Sequence, residues 1–272
     1  MTPAMLLRPS CIVVSISGGQ AAGKKTVQAA IARRLAELSG GRLRIVCLHM
    51  GDFTRPLDEV GRAEAAASVR DMDAIDAYDL DALATTIQRI LAADTDITTP
   101  RYDPLTFTHA ATAEPLTPTN SRGEVGPADV LLVEGCYMLC EKRLVEMVDI
   151  KVFVDLNADA RLGRRVVRDT EERGIPLDKV FDRYLRFGKR AFEGRIEPAK
   201  SRADIILPKG AEGAAIDLIA LGIWDDINAR ADANVDERAA KTSLTLVERT
   251  SLAAAKTISL GDVDLERFYD PI

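Results

Sequence analysis

The chain has 272 residues, room for one large α/β domain or one domain with an appendage. Its 47% hydrophobic and 29% charged residues are the balance of a globular protein, not of a disordered or fibrous one. A net charge of −6 argues against coating nucleic acid, and no uninterrupted apolar run is long enough to cross a membrane.

Met1–Ser10 carries a few apolar residues but lacks the pattern of a secretory signal. The run Cys11–Ser17 then reads as a buried parallel strand, since Ile12, Val13, Val14 and Ile16 leave little polar alternation. It breaks at paired glycines. Beyond them Val27, Ile31, Leu35 and Leu38 fall at near-helical spacing, and Gly40-Gly41 ends that helix. The connection Gly18-Gly19-Gln20-Ala21-Ala22-Gly23-Lys24 fits the nucleotide-binding P-loop. Backbone N–H groups and the positive end of a helix dipole attract phosphate there, and glycine lets the loop wrap closely. Lys24 then reaches the β- and γ-phosphates as a point charge. The pattern asks next for Ser or Thr, whose hydroxyl holds Mg²⁺. Here the residue is Lys25, with Thr26 one place late.

A second strand over Leu43–Leu48 leads to His49-Met50-Gly51-Asp52-Phe53. Asp52 is placed either to take a proton from an acceptor hydroxyl or to cap a turn. Asp71-Met72-Asp73 and Asp76-Ala77-Tyr78-Asp79 form an acidic cluster before a helical segment, Asp79–Ala92. These carboxylates either bind sugar hydroxyls or cap that helix. Pro100-Arg101-Tyr102-Asp103 and His109 offer an acceptor pocket in which Tyr102 stacks on a base, although His109 alone reads as a surface-loop histidine. Ala110–Ala128, rich in Thr, Pro, Gly and Asn, reads as a long exposed loop.

The strand Val130–Val133 ends in Glu134-Gly135, and a carboxylate at that place can hold Mg²⁺ directly or through water. Strands over Ile150–Val154 and Ile205–Leu207 bring the number to five. Between these two, the helix Ala158–Thr170 and its end carry Arg161, Arg164, Arg165, Arg168 and Arg173. The first four share roughly one helix face. They form either a solvated surface with i,i+4 ion pairs or a cationic lid that closes on phosphate. The four cysteines sit in or beside apolar segments and read as buried thiols of a reducing compartment, the cytoplasm. Strands alternating with helices predict a doubly wound α/β fold with a parallel sheet of about five strands, of the P-loop NTPase type. Ligands in such folds sit at the carboxyl ends of the strands. Residues 1–232 form this domain, with the lid over 158–200, and 233–272 are an extension without an assigned role.

Together these residues resemble the uridine–cytidine kinase family, within the wider phosphoribulokinase/uridine kinase group. The resemblance covers Cys11 to Pro208. Its most specific part is V-F-V-D-L-N-A-D-A-R-L-G-R-R-V-V-R-D-T-E-E-R-G, followed by Y-L-R-F-G-K-R-A-F-E and P-A-K-S-R-A-D-I-I-L-P. Asp76-Ala77-Tyr78-Asp79 is similar to the family's D-A-F-D, and Pro100-Arg101-Tyr102-Asp103 to its P-x-Y-D. The resemblance implies that Gly18 to Lys24, with Lys25, Thr26 and Arg165, hold the phosphates of ATP or GTP. It implies Mg²⁺ on Glu134 and catalysis by Lys24, Arg164 and Arg168; in an active kinase Thr26 or water would complete the Mg²⁺ shell and Asp52 would swing into the base position. The nucleoside would meet Asp73, Tyr102, His109, Arg161 and Arg173. The implied reaction moves the γ-phosphoryl group of ATP to the 5′-hydroxyl of uridine or cytidine, commonly in a homo-oligomer. Nucleic acid and membrane are not expected partners.

Four positions depart from the family pattern. Lys25 replaces the metal-binding hydroxyl residue, and the family's D-S-F-Y becomes Gly51-Asp52-Phe53-Thr54, which puts Gly51 at the base position if Phe53 is the anchor. Ala74-Ile75 replaces H-P, and the base-reading histidine is displaced, with Phe107 or His109 near its place. Three readings follow: an active nucleoside kinase, a P-loop kinase for another small hydroxyl compound, and a nucleotide-binding paralogue without catalysis.

Overall fold

Strand β1 (Ile12–Gly18) is buried at all seven positions. Four further strands run parallel to it: β2 (Ile45–His49), β3 (Val130–Glu134), β4 (Ile150–Val154) and β5 (Ile205–Leu207). The computed structural model describes residues 11–232 and gives the sheet order β2-β3-β1-β4-β5. β1 and β3 are covered on both faces, which is why their sequences are nearly continuously apolar. The strand order reverses beside β1, and the crevice at such a reversal is where ligands bind. The register sets Glu134 between Ile16 of β1 and His49 of β2, so three strand ends meet at one place.

Helix α1 (Lys24–Leu38) buries Val27, Gln28, Ile31 and Leu35, one stripe at helical spacing. Gln28 is polar at a core position and satisfies itself there. Its Nε2 donates to the carbonyls of Leu48 (3.0 Å), near the end of β2, and Leu132 (2.9 Å), at the middle of β3. Helix α2 (Glu59–Ala66) is capped by Asp58, whose side chain accepts from Gly61 N, and α3 (Leu80–Leu91) by Asp79, which accepts from Ala82 N. Leu83, Ile87 and Ile90 of α3 pack into a cluster with Val13, Leu48, Leu131, Val133 and Phe153. Each such side chain contributes about 1.5–3 kcal/mol by leaving water.

The segment 98–126 is not featureless. Thr98–Thr99 pairs antiparallel with Glu114–Pro115, Tyr102–Asp103 pairs with Thr108–His109, and Thr119 bridges Val125. The loop expected over Ala110–Ala128 is exposed along most of its length but carries these short pairings. A short α4 (Lys142–Glu146) precedes β4. The arginine-rich stretch forms α5 (Ala158–Val167) and α6 (Leu177–Arg183), broken by π-helical turns at Arg168–Glu172, Tyr184–Gly188 and Phe192–Ile196. Such turns widen the helix locally and recur at functional sites. Residues 11–225 belong to one compact unit. Residues 226–232 belong to a second unit and are helical, with Arg230 paired to Asp226 at 2.9 Å. The extension expected over 233–272 lies outside the described residues. Among the described residues, no helix is long and apolar enough to cross a membrane.

Candidate active site

The loop after β1 is held open by its backbone. Gly18 has φ +142°, and a Cβ there would stand 2.5 Å from the Val154 carbonyl oxygen of β4. Gly23 has φ +97° and ends the loop as the cap of α1. Both conformations favour glycine. Ala21, at φ 59°, adopts the left-handed region without that freedom, a local strain of the kind found at ligand clamps. No side chain caps α1, and no acid stands in its first turn, so its leading N–H groups are left for an anion. Lys24 is buried; its Nζ donates to Gly19 O at 2.9 Å and lies 3.3 Å from Cys136 Sγ.

A cleft of about 440 Å³ opens from this loop. Gln20, Ala21, Gly23, Lys24 and Lys25 line one end, and Asp73, Tyr78, Tyr102, Arg165 and Phe187 line the rest. Glu134 and Asp52 both face it. Glu134 is buried, with Oε1 3.3 Å from His49 Nδ1, an ion-pair distance without hydrogen-bond alignment. Burial pushes the Glu134 carboxyl up, but His49, Lys24 and Lys25 outweigh it and hold it below the ordinary carboxylate range. Asp52 goes the other way: burial raises it, and the charges of His49, Lys25 and Arg101 only partly oppose this.

A divalent cation at such a loop takes oxygen ligands, a hydroxyl after the loop lysine and a carboxylate among them. Glu134 supplies the carboxylate. The hydroxyl is not supplied, because Lys25 lines the cleft while Thr26 is exposed and does not line it. Thr26 follows Lys24 by two residues, and two residues turn an α-helix by about 200°, onto its far side. The side chains present therefore do not fit the expected magnesium shell of Glu134 with Thr26.

Asp73 is the centre of the acceptor end. Arg165 donates to its Oδ2 from both Nη atoms, each at 3.0 Å, and Gln20 of the phosphate loop donates to its Oδ1. The Tyr137 hydroxyl donates to the Asp73 backbone carbonyl. Tyr102 lines the cleft and presents a buried hydroxyl with no hydrogen-bond partner among the described residues, an orphan group that a ligand can satisfy. Burial pushes this hydroxyl up to about 12. Of the acids in the same sequence cluster, Asp79 caps α3 and Asp73 lines the cleft.

The arginines divide between the two ends. Arg161 packs its guanidinium against Gly19, where an added Cβ would stand 2.7 Å from its Nη1, and stacks 3.6 Å over the Phe192 ring. It does not line the cleft, so its expected place on the nucleoside side is not where the structure puts it. Arg164 donates to Ala22 O at 3.3 Å, also on the loop. Arg165, expected at the phosphates, instead lies on Asp73, because its buried guanidinium needs the carboxylates of Asp73 and Asp169. Arg168 and Arg173 line the cleft and share Asp169, at 2.8 and 3.0 Å. Burial lowers the Arg173 guanidinium, as does neighbouring Arg168. His109 lies outside the cleft lining. Its Nε2 stands 2.7 Å from the Thr54 carbonyl, which makes Nε2 the protonated nitrogen, and its ring meets Tyr102 edge-on at 5.9 Å. It positions the Tyr102 hairpin.

Three contributors were not singled out from sequence. Asp169 binds three arginines, and its i,i+4 spacing to Arg165 and Arg173 was the available signal. Gly188 leaves room for the Arg165–Asp73 pair, since a Cβ would stand 2.6 Å from Arg165 Nη1. Cys136 touches Lys24, and no sequence pattern marks that contact. Cys47, Cys136 and Cys140 are free thiols.

Residues 13–215 match the phosphoribulokinase/uridine kinase family. Uridine-cytidine kinase 2-B of Danio rerio is 35% identical over 219 residues, 79% of this chain and 80% of that protein. Uridine-cytidine kinase B of Dictyostelium discoideum is 39% identical over 208 residues, 76% of this chain and 79% of that protein. Among solved structures, a protein assigned as a fructose transport system kinase from Silicibacter sp. TM1040 superposes with a TM-score of 0.55 at 22% identity. It covers 75% of this chain and 92% of that one, and shows the shared fold.

Proposed function

This chain belongs to the phosphoribulokinase/uridine kinase family, and from that premise we propose that it transfers the γ-phosphoryl group of ATP to the 5′-hydroxyl of a pyrimidine nucleoside, uridine or cytidine. One observation carries the reading: a single cleft joins the phosphate loop at Gly23 and Lys24 to the Asp73–Arg165 pair and the orphan Tyr102 hydroxyl. A triphosphate and a ribose would lie end to end in it.

In this reading Lys24 exchanges Gly19 O for the β- and γ-phosphates, and Arg164 and Arg168 neutralise the charge that spreads over the moving group. Asp73 accepts from ribose hydroxyls, and Tyr102 stacks on the base. The nucleoside O5′ forms a bond to the γ-phosphorus as the bond to the β,γ-bridging oxygen breaks. ADP leaves, and the hydroxyl proton passes to Asp52. Burial raises Asp52, which makes it a better proton acceptor than an ordinary aspartate. Its free thiols fit a reducing compartment, the cytoplasm, and homo-oligomeric assembly follows from the family resemblance and is measurable by light scattering.

Gly51 supports a second reading. A Cβ added there would meet nothing within 4 Å, so with Phe53 as the anchor the position the family fills with its base carries no side chain here. A protein that binds nucleotide without turnover would have such a gap. The test is phosphorylation of uridine and cytidine with ATP, then of a panel of other nucleosides and sugars. Turnover of the pyrimidine nucleosides, lost in Asp52→Asn, supports the kinase reading. Turnover of only another acceptor replaces the nucleoside, and nucleotide binding without any turnover establishes the non-catalytic reading.

A further inference from the structure

Two ammonium groups stand at the start of α1 where a phosphate loop ordinarily presents one. Lys25 lines the cleft together with Lys24, Asp52 and Glu134. Its charge acts on both carboxylates, holding Glu134 down and opposing the rise of Asp52. Among the described residues no carboxylate lies within ion-pair distance of Lys25, although it faces the same cleft as Asp52 and Glu134. The hydroxyl that would hold a metal is outside the cleft, on Thr26.

We propose that Lys25 is a nucleotide-binding residue that replaces the cation: it neutralises the terminal phosphates itself, so that this chain binds nucleoside di- and triphosphates without a divalent metal. The inference rests on the nucleotide-binding reading of the loop and deepens it. Lys24 and Lys25 together carry the positive charge that a lysine and part of a metal's charge supply elsewhere. The same ammonium repels a divalent cation from the Glu134 carboxylate, which is itself buried, so that solvent screens the pair less than two exposed charges. Lys25 is exposed on the first turn of α1, where the helix dipole adds to its effect on a phosphate.

The experiment is calorimetric titration of the full chain with ADP and with β,γ-imido-ATP, in Mg²⁺ and in EDTA. The wild-type protein, Lys25→Thr and Lys25→Arg are compared, with thermal melts to confirm folding. The wild-type Kd is expected to change less than about threefold between the two buffers. Lys25→Thr is expected to bind at least about tenfold more weakly in EDTA, the scale of one lost phosphate contact, and to recover affinity in Mg²⁺. Lys25→Arg keeps metal-free binding. Loss of wild-type affinity in EDTA by tenfold or more, or unchanged metal-free affinity in Lys25→Thr, overturns the proposal while leaving the kinase reading intact. Metal-free binding without phosphorylation of any acceptor supports the proposal and removes the kinase reading. No nucleotide binding in either buffer overturns both.

Discussion

Arg165 and Asp73 are separated by 92 positions in sequence, yet both Nη atoms of the arginine reach the same carboxylate oxygen at 3.0 Å. The other oxygen of Asp73 accepts from Gln20 of the phosphate loop. One carboxylate therefore ties the arginine-rich helix to the loop across the cleft. Both partners are buried, with side chains 9% and 7% exposed, so neither can hand its charge to water if the other is removed.

Asp73→Asn is expected to act on stability and on substrate together. Breaking a buried pair costs about 3–5 kcal/mol, and Asp169 remains to hold Arg165, so the loss is expected near the lower end, about 3 kcal/mol. Chemical denaturation measures it. The KM for the nucleoside rises at the same time, with a smaller change in the KM for ATP. A variant that loses stability but keeps its nucleoside KM removes Asp73 from the binding site.

Asp52 gives a pH signature. As the proton acceptor it must be ionised, so the rate rises with pH through its pKa, and burial places that pKa above the ordinary aspartate range. The acidic limb of the kcat/KM profile is expected to lie above the ordinary aspartate range and to vanish in Asp52→Asn along with most activity, about a hundredfold or more. An unchanged limb in the variant assigns the proton to another group.

Gly18→Ala places a methyl group 2.5 Å from a main-chain oxygen of β4, at a φ that side chains rarely adopt. Backbone cannot step aside as a side-chain tip can. A stability loss of about 1–3 kcal/mol is expected, together with weakened nucleotide binding. Gly51→Ala serves as the contrast, because a methyl group there meets nothing within 4 Å and the melting temperature should hardly move.

Asp169 predicts acid sensitivity. Burial raises its carboxyl, but Arg168, Arg173 and Arg165 more than compensate and depress its folded pKa. A depressed carboxylate contributes stability that is full above its unfolded pKa of about 3.9 and is lost as pH falls through the folded value. Wild-type stability is expected to fall in this acid range more steeply than that of Asp169→Asn, as followed by urea midpoints between pH 5 and pH 2.5. Parallel curves would show that Asp169 does not carry the effect.

The sheet was legible because each strand is a local pattern: the β-branched run Ile12-Val13-Val14, stopped by paired glycines, reads as a strand buried on both sides, and those glycines name the loop beyond. The assignment of arginines was not. Arg161, Arg164, Arg165 and Arg168 share a face at helical spacing, and spacing says nothing about which end of a cleft each reaches. That depends on Asp73 and Gly19 arriving from elsewhere in the chain. Thr26 was misplaced for the opposite reason. One residue of shift is small in sequence but about 100° on a helix, enough to carry a hydroxyl out of the site. His109 likewise satisfies a carbonyl of Thr54, a tertiary contact with no local signal.

Gln28 sets the terms on which a nucleotide can bind. Because its amide holds α1 to the carbonyls of Leu48 and Leu132, the start of that helix is fixed relative to β2 and β3 before any phosphate arrives. The ordering entropy of the loop is then spent during folding and not during association. Affinity and thermal stability become two readings of one quantity. A nucleotide should raise the melting temperature in proportion to the logarithm of its concentration, and a Gln28→Leu variant should lose both together.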